Sequence, residues 1–273
     1  MKVSLVISVY KNTKDLKVVL DALAYQTVLA DEIIISEDGD SEEMRLFLKQ
    51  YSTALNIVHL TQSDLGWQKN KALNNAIRNA KNDYLIFIDG DCVLHHRFIE
   101  SHIAFAESDK ILAGKRVKLG PLFSEKLRNT NLLKFEKHFV LNTFAVFKDG
   151  VKFFEEALYF SPDSFLGKLA KKRTMRWLKG CNFSCYKDAL ITINGFDEDY
   201  KLPAIGEDID LVWRFKGLGY QLKSIRNFAV QYHLHHKENW VSQEENIAIM
   251  EAKQQMNLFV CENGLQKLNK STL

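Results

Sequence analysis

The sequence predicts an α/β fold: a mostly parallel central sheet flanked by helices. Three observations lead there. Short apolar runs rich in β-branched residues alternate with segments of helical periodicity across residues 3–88. Two acidic turns, 37–40 and 89–91, each follow such a run, where a parallel sheet gathers ligands beyond the carboxyl ends of its strands. The composition is 46% hydrophobic and 26% charged in 273 residues, with 13 Gly and 3 Pro. That is room for one large α/β domain or two small ones, and it excludes disordered, collagen-like and Pro-rich chains.

Val3-Ser-Leu-Val-Ile-Ser-Val9 reads as a buried strand. Thr13 is placed to cap a helix over 14–25, in which Leu16, Val19, Leu20 and Leu23 recur at helical spacing. A strand at 32–36 runs into Glu37-Asp38-Gly39-Asp40. A helix over 42–51, a strand over 56–60 and a helix over 70–80 follow, the last with Ala72, Leu73, Ala76, Ile77 and Ala80 on one face. The strand 84–88 leads directly into Asp89-Gly90-Asp91. Residues 115–178 are rich in Lys and Phe and show no βα alternation. They read either as an acceptor-side region or as a covering insertion with its own satellite core. Beyond them come a strand at 181–186, a helix at 187–194, a turn at 195–197, a helix from Glu207 to Leu218, and strands at 221–225 and 228–232. A terminal amphipathic helix over 242–262 would align Ile247, Met250, Gln254 and Leu258.

Thirty-seven basic against 34 acidic residues leave a net charge of +3, which argues against a nucleic-acid partner. No run approaches the roughly 20 apolar residues of a membrane-spanning helix. The first ten residues lack the pattern of a signal peptide, and four scattered cysteines make no disulfide framework, so a cytoplasmic setting is expected.

Asp89-Gly90-Asp91 places two carboxylates on one turn, a donor set suited to a hard divalent cation such as Mn²⁺ or Mg²⁺. A solvated Asx turn is the plainer reading, and the fully apolar strand before it favours the metal. Glu37-Asp38-Gly39 could be a turn, or a carboxylate that accepts from a nucleobase N–H. Glu207-Asp208 opens a helix, where acids cap; a general base is the alternative. Asp210 reads as structural or solvent-facing. In Gln231-Tyr-His-Leu-His-His236, alternation puts His233 and His235 on one face and His236 on the other. Zinc lacks a matching cysteine pair, whereas one imidazole could join two carboxylates.

Several segments, in order, resemble the inverting GT-A glycosyltransferases of family 2. They are the first strand 3–10, Ser36-Glu-Asp-Gly-Asp40, Asp64-Leu-Gly-Trp-Gln-Lys-Asn-Lys-Ala-Leu-Asn-Asn-Ala76, and Phe87-Ile-Asp-Gly-Asp91. Lys179-Gly-Cys-Asn-Phe-Ser-Cys-Tyr-Lys187, Asn194-Gly-Phe-Asp-Glu-Asp-Tyr200 and Gly206-Glu-Asp-Ile-Asp-Leu211 are similar to the galactosyltransferase-type carboxyl half, including chondroitin-polymerase-like enzymes. The resemblance covers residues 3–105 and 178–236. It implies a GT-A (Rossmann-like) domain over 1–240, with a nucleotide-binding half (1–114), a variable acceptor-side insertion (115–178) and a catalytic half (179–240), followed by a helical extension at 241–273.

The resemblance also implies roles. Asp38 would bind the base, with Tyr10 beside it. Lys69 and Lys71 are candidates to approach the phosphates, Lys71 being favoured. Asp89 would lie near ribose and metal, Asp91 would be the main metal ligand, and His233 would complete that site. Asp208 would be the catalytic base and Glu207 an acceptor-binding residue. Pro203-Ala-Ile-Gly206 stands where the family often has Gly-Trp-Gly, so Trp177 becomes the candidate aromatic for the acceptor. The implied reaction moves a sugar from a nucleotide-sugar, a UDP-sugar by resemblance, to a saccharide or lipid-linked saccharide in cell-surface polysaccharide or lipopolysaccharide synthesis. The implied metal is Mn²⁺ or Mg²⁺. The basic run 168–176 suggests peripheral contact with an anionic membrane face. A nucleotidyltransferase would show a Gly-rich loop after the first strand, which is absent; a non-catalytic binding protein on the same fold would lack Asp91 or Asp208.

Overall fold

The computed structural model describes residues 1–51, 53–237 and 241–268. Among the described residues, ten strands, β1 (Val3–Val9), β2 (Glu32–Glu37), β3 (Ile57–Leu60), β4 (Tyr84–Asp89), β5 (Cys92–Leu94), β6 (Lys110–Ala113), β7 (Val117–Lys118), β8 (Phe183–Tyr186), β9 (Gln221–Ser224) and β10 (Gln231–His233), form two sheets. The larger is seven-stranded, in the order β3-β2-β1-β4-β8-β6-β9. Only β8 runs against its neighbours β4 and β6, so the sheet is mostly parallel as expected. The smaller, β5-β10-β7, stands beyond the ends of β4 and β6.

The helices are α1 (Thr13–Leu23), α2 (Glu42–Gln50), α3 (Lys69–Asn79), α4 (Phe98–Ala104), α5 (Pro121–Arg128), α6 (Leu132–Leu141), α7 (Thr143–Lys148), α8 (Phe165–Ala170), α9 (Lys187–Thr192), α10 (Asp210–Gly217) and α11 (Glu244–Gln255). Among the described residues, none is long and apolar enough to cross a membrane. Burial on both faces explains why β1, β2 and β4 read as unbroken apolar runs: one face packs under α1 and the other under α3 and α9. Asn12, not Thr13, caps α1, its side chain accepting from the Asp15 N–H at 3.1 Å.

Three further expectations are corrected. Residues 115–178 build no satellite core: Phe123, Phe135, Phe139 and Val146 join the main core, and Phe135 and Phe139 pack their rings on Tyr232 of β10. The expected helix 207–218 is a π-helical turn, Ile205–Ile209, followed by α10. The terminal helix stops at Gln255 with only Asn246 buried, because its docking is polar. Lys253 binds Asp197 and Asp199, and Asn246 donates to the Leu202 carbonyl at 2.8 Å. Leu258 lies past its end, and residues 269–273 of the expected extension fall outside the described residues.

Candidate active site

A cleft of about 910 Å³ opens at the carboxyl ends of β1, β2 and β4. Gly90 lets the β4 turn lie against β1: a Cβ there would come within 2.6 Å of the Val9 side chain. That contact carries Asp89 and Asp91 into the cleft, where Tyr10, Asp38, Glu207, Asp208 and His233 also lie.

Asp38 follows β2 and is held by the Gln62 amide at 2.7 Å and the Gln68 N–H at 2.8 Å. Burial raises its pKa, and these two donors oppose the rise. Tyr10 is largely exposed at the rim, its hydroxyl 3.4 Å from Asp64. Glu37 faces inward instead, bound by His59 at 2.9 Å and by the Ser41 hydroxyl at 2.7 Å, so it fixes the turn.

Asp91 Oδ2 lies 3.3 Å from His233 Nε2 and 3.2 Å from His236 Nε2, and the two ring nitrogens are 3.4 Å apart. Burial opposes ionisation of Asp91, but its histidine partners outweigh that and hold the carboxyl well below its usual range. Three donor atoms thus converge with the edge lengths of adjacent ligands around one cation. Two imidazoles and a carboxylate fit Mn²⁺ better than the all-oxygen preference of Mg²⁺. The strand alternation that grouped His233 with His235 breaks down here. The chain leaves β10 at His233, the Leu234 N–H binds the Asp91 carbonyl, and His236 swings back while His235 faces solvent.

Across the cleft, the π-helical turn presents Glu207 and Asp208. It starts from Ala204, whose φ of +85° is strained for a residue with a side chain. Its far end is anchored by a fully buried pair, Arg214 Nε to Asp210 Oδ2 at 2.7 Å, with Arg214 also donating to the carbonyls of Ile193 and Gly195. Asp210 is therefore structural. Asp208 Oδ1 accepts from the Gly180 N–H at 2.5 Å, and Oδ2 lies 3.7 Å from Lys179. Burial and the neighbouring Glu207 carboxylate push the Asp208 pKa up to about 7, against Lys179, the Gly180 N–H and Lys69.

Two of the expected residues are not brought in. Lys71 points away from the cleft because it sits two positions along α3 from Lys69, and Lys69 is the one that faces inward. Lys69 Nζ lies 2.9 Å from Asp89 and 2.5 Å from Glu207, and these carboxylates outweigh its burial to keep it firmly protonated. Trp177 is 60% exposed and off the cleft wall, which Trp67 lines instead. Arg116 was not anticipated: it stands 3.9 Å from Asp89 and donates to the Cys181 sulfur at 3.2 Å. No local pattern marks it, since β7 spans two residues.

Solved structures place this architecture among the GT-A glycosyltransferase folds. Staphylococcus aureus TarS superposes with a TM-score of 0.57 over 93% of this chain and 39% of its own, at 16% identity. GalNAc-T7, solved with UDP, GalNAc and Mn²⁺, gives 0.60 over 88% of this chain and 45% of its own, at 13% identity. The sequence model for glycosyl transferase family 2 matches residues 4–166, and the chain belongs to that family. Chondroitin synthase of Escherichia coli is 29% identical over 40% of this chain and 16% of its own length. Validoxylamine A glucosyltransferase of Streptomyces hygroscopicus subsp. jinggangensis is 27% identical over 79% of this chain and 51% of its own. The chain thus spans about half, or much less, of these relatives.

Proposed function

We propose that the chain is an inverting glycosyltransferase that moves a sugar from a UDP-sugar to a hydroxyl of a saccharide or lipid-linked saccharide, in cell-surface polysaccharide or lipopolysaccharide synthesis. One observation carries this reading: a carboxylate with a pKa near 7, Asp208, faces a convergent Asp91–His233–His236 donor set across a single cleft. The family, and the nucleotides held by its structural neighbours, support it.

Asp38, beside Tyr10, accepts from the base. Asp89 and Lys69 line the path between base and acceptor. Asp91, His233 and His236 are the residues that would hold Mn²⁺, or Mg²⁺ in its place. Bound there, the cation supplies neutralisation of the charge that develops on a departing diphosphate. Asp208 takes the acceptor hydroxyl proton, and the oxygen attacks the anomeric carbon opposite the leaving group, inverting its configuration. A base with a pKa near the working pH combines availability with driving force. Glu207, steadied by Lys69, borders the acceptor. Holding both substrates in one cleft turns a bimolecular encounter into an oriented one.

The test is a thermal-shift panel of UDP-, GDP- and dTDP-sugars with Mn²⁺ or with chelator, followed by transfer assays. UDP-sugars should stabilise the protein only with metal, and Asp91→Ala or His236→Ala should remove that stabilisation. Asp208→Asn should keep donor binding and lose transfer by about 10²–10⁴-fold. Transfer by Asp208→Asn at the wild-type rate, or stabilisation by no nucleotide-sugar, would overturn the proposal.

A further inference from the structure

We propose that the outer face of α6 and α7 docks the protein on the surface of an anionic lipid bilayer. α6 buries Leu132, Phe135, Glu136 and Phe139 and turns its opposite side outward. On that side and its continuation in α7, Leu141 is 72% exposed, Phe144 85% and Phe147 57%. Side chains of this size are rarely left so open next to one another without a partner surface. The exposed Lys134, Lys137 and Lys148 flank them, and among the described residues no carboxylate pairs with their ammonium groups. α8 repeats the combination, with Phe165 76% exposed beside Lys168.

Charge decides the occupant. Residues 121–177 hold eleven Lys and Arg against six Asp and Glu, although the whole chain is only +3. A second copy of this face would meet like charge, whereas an anionic headgroup layer complements it and accepts the apolar side chains below its surface. The shortness of the helices makes this an interfacial contact rather than a spanning one. The end of α7 is tied to the chain that leaves the cleft: Asp149 accepts from the N–H groups of Leu122 and Phe123 in α5, and α5 follows closely on β7, whose Lys118 lines the cleft. An acceptor borne on a lipid would therefore reach the cleft from the docked side; this last step rests on the transferase reading, while the docking itself does not.

The experiment is co-sedimentation of the full chain, without donor or metal, with phosphatidylcholine vesicles and with vesicles carrying about 30% phosphatidylglycerol. The protein should pellet with the anionic vesicles alone and release at high salt. Leu141→Glu with Phe144→Glu, and separately Lys134→Glu with Lys137→Glu and Lys148→Glu, should each weaken binding about tenfold or more. These positions are exposed, so circular dichroism and Tm should match wild type, and transfer to a water-soluble acceptor should persist. Equal pelleting of wild type and both variants, no pelleting at all, or a self-association that the same substitutions abolish would overturn docking on lipid. None of those results would touch the transfer assay.

Discussion

The Gly180 N–H donates to Asp208 Oδ1 at 2.5 Å, and a Cβ on Gly180 would sit 2.9 Å from that same oxygen. The contact leaves no room for a side chain, and the carboxylate is aimed by a backbone group of the neighbouring 179–181 segment. Gly180→Ala should push Asp208 aside without disturbing the fold. Misplacing a reacting group by about 1 Å costs on the order of 10²-fold in rate. We therefore expect kcat to drop by about that much, with donor affinity and Tm close to wild type. An unchanged kcat would show that Gly180 does not position Asp208.

Asp208 also predicts two pH dependences of opposite sense. In its proposed role as base it works ionised, so kcat/KM should rise as pH passes through about 7. As a buried acid its folded pKa lies above the ordinary value of 3.8, so the folded protein holds that proton more tightly than the unfolded chain. Its contribution to stability is full below about pH 4 and is lost as pH rises through 7. Asp208→Asn carries no charge to bury. Near pH 4 it should match wild type in urea unfolding. At pH 8 it should be more stable by on the order of 2 kcal/mol, less than the full linkage value because water in the cleft solvates the carboxylate. Equal stability of the two proteins at pH 8 would remove the assigned shift.

Much of the fold and part of the cleft were legible in the sequence for one physical reason. β1, β2 and β4 are covered on both faces, so their apolar runs and terminal acids stand out, and Asp38, Asp89 and Asp91 emerge at strand ends. What was not legible depends on tertiary position. β5 and β7 are three and two residues long, too short for any periodicity. His236 reaches Asp91 only because the chain bends after His233, which a strand pattern cannot express. Lys69 and Lys71 both lie near the start of α3, and the choice between them is set by which face α3 packs on β1 and β2. Trp177 was inferred from a gap in a motif, and no local signal fixes where its loop points.

Lys69 joins the two sides of the cleft. Its ammonium is shared by Asp89, on the turn after β4, and Glu207, on the π-helical turn. Each of these side chains is mostly buried, so the cation satisfies two carboxylates that water reaches poorly. Removing it leaves both charges uncompensated, a change that costs about 3–5 kcal/mol at buried pairs. Lys69→Met should thus unfold at clearly lower urea concentration and lose transfer by about 10²-fold or more, since the two carboxylates would repel and separate. Adding Glu207→Gln removes one of the repelling charges. The double variant should regain stability relative to Lys69→Met, with a coupling of about 1–3 kcal/mol, yet remain inactive. Purely additive losses in that cycle would mean that Lys69 and Glu207 act independently, and that the β4 turn and the π-helical turn are aligned by something other than this bridge.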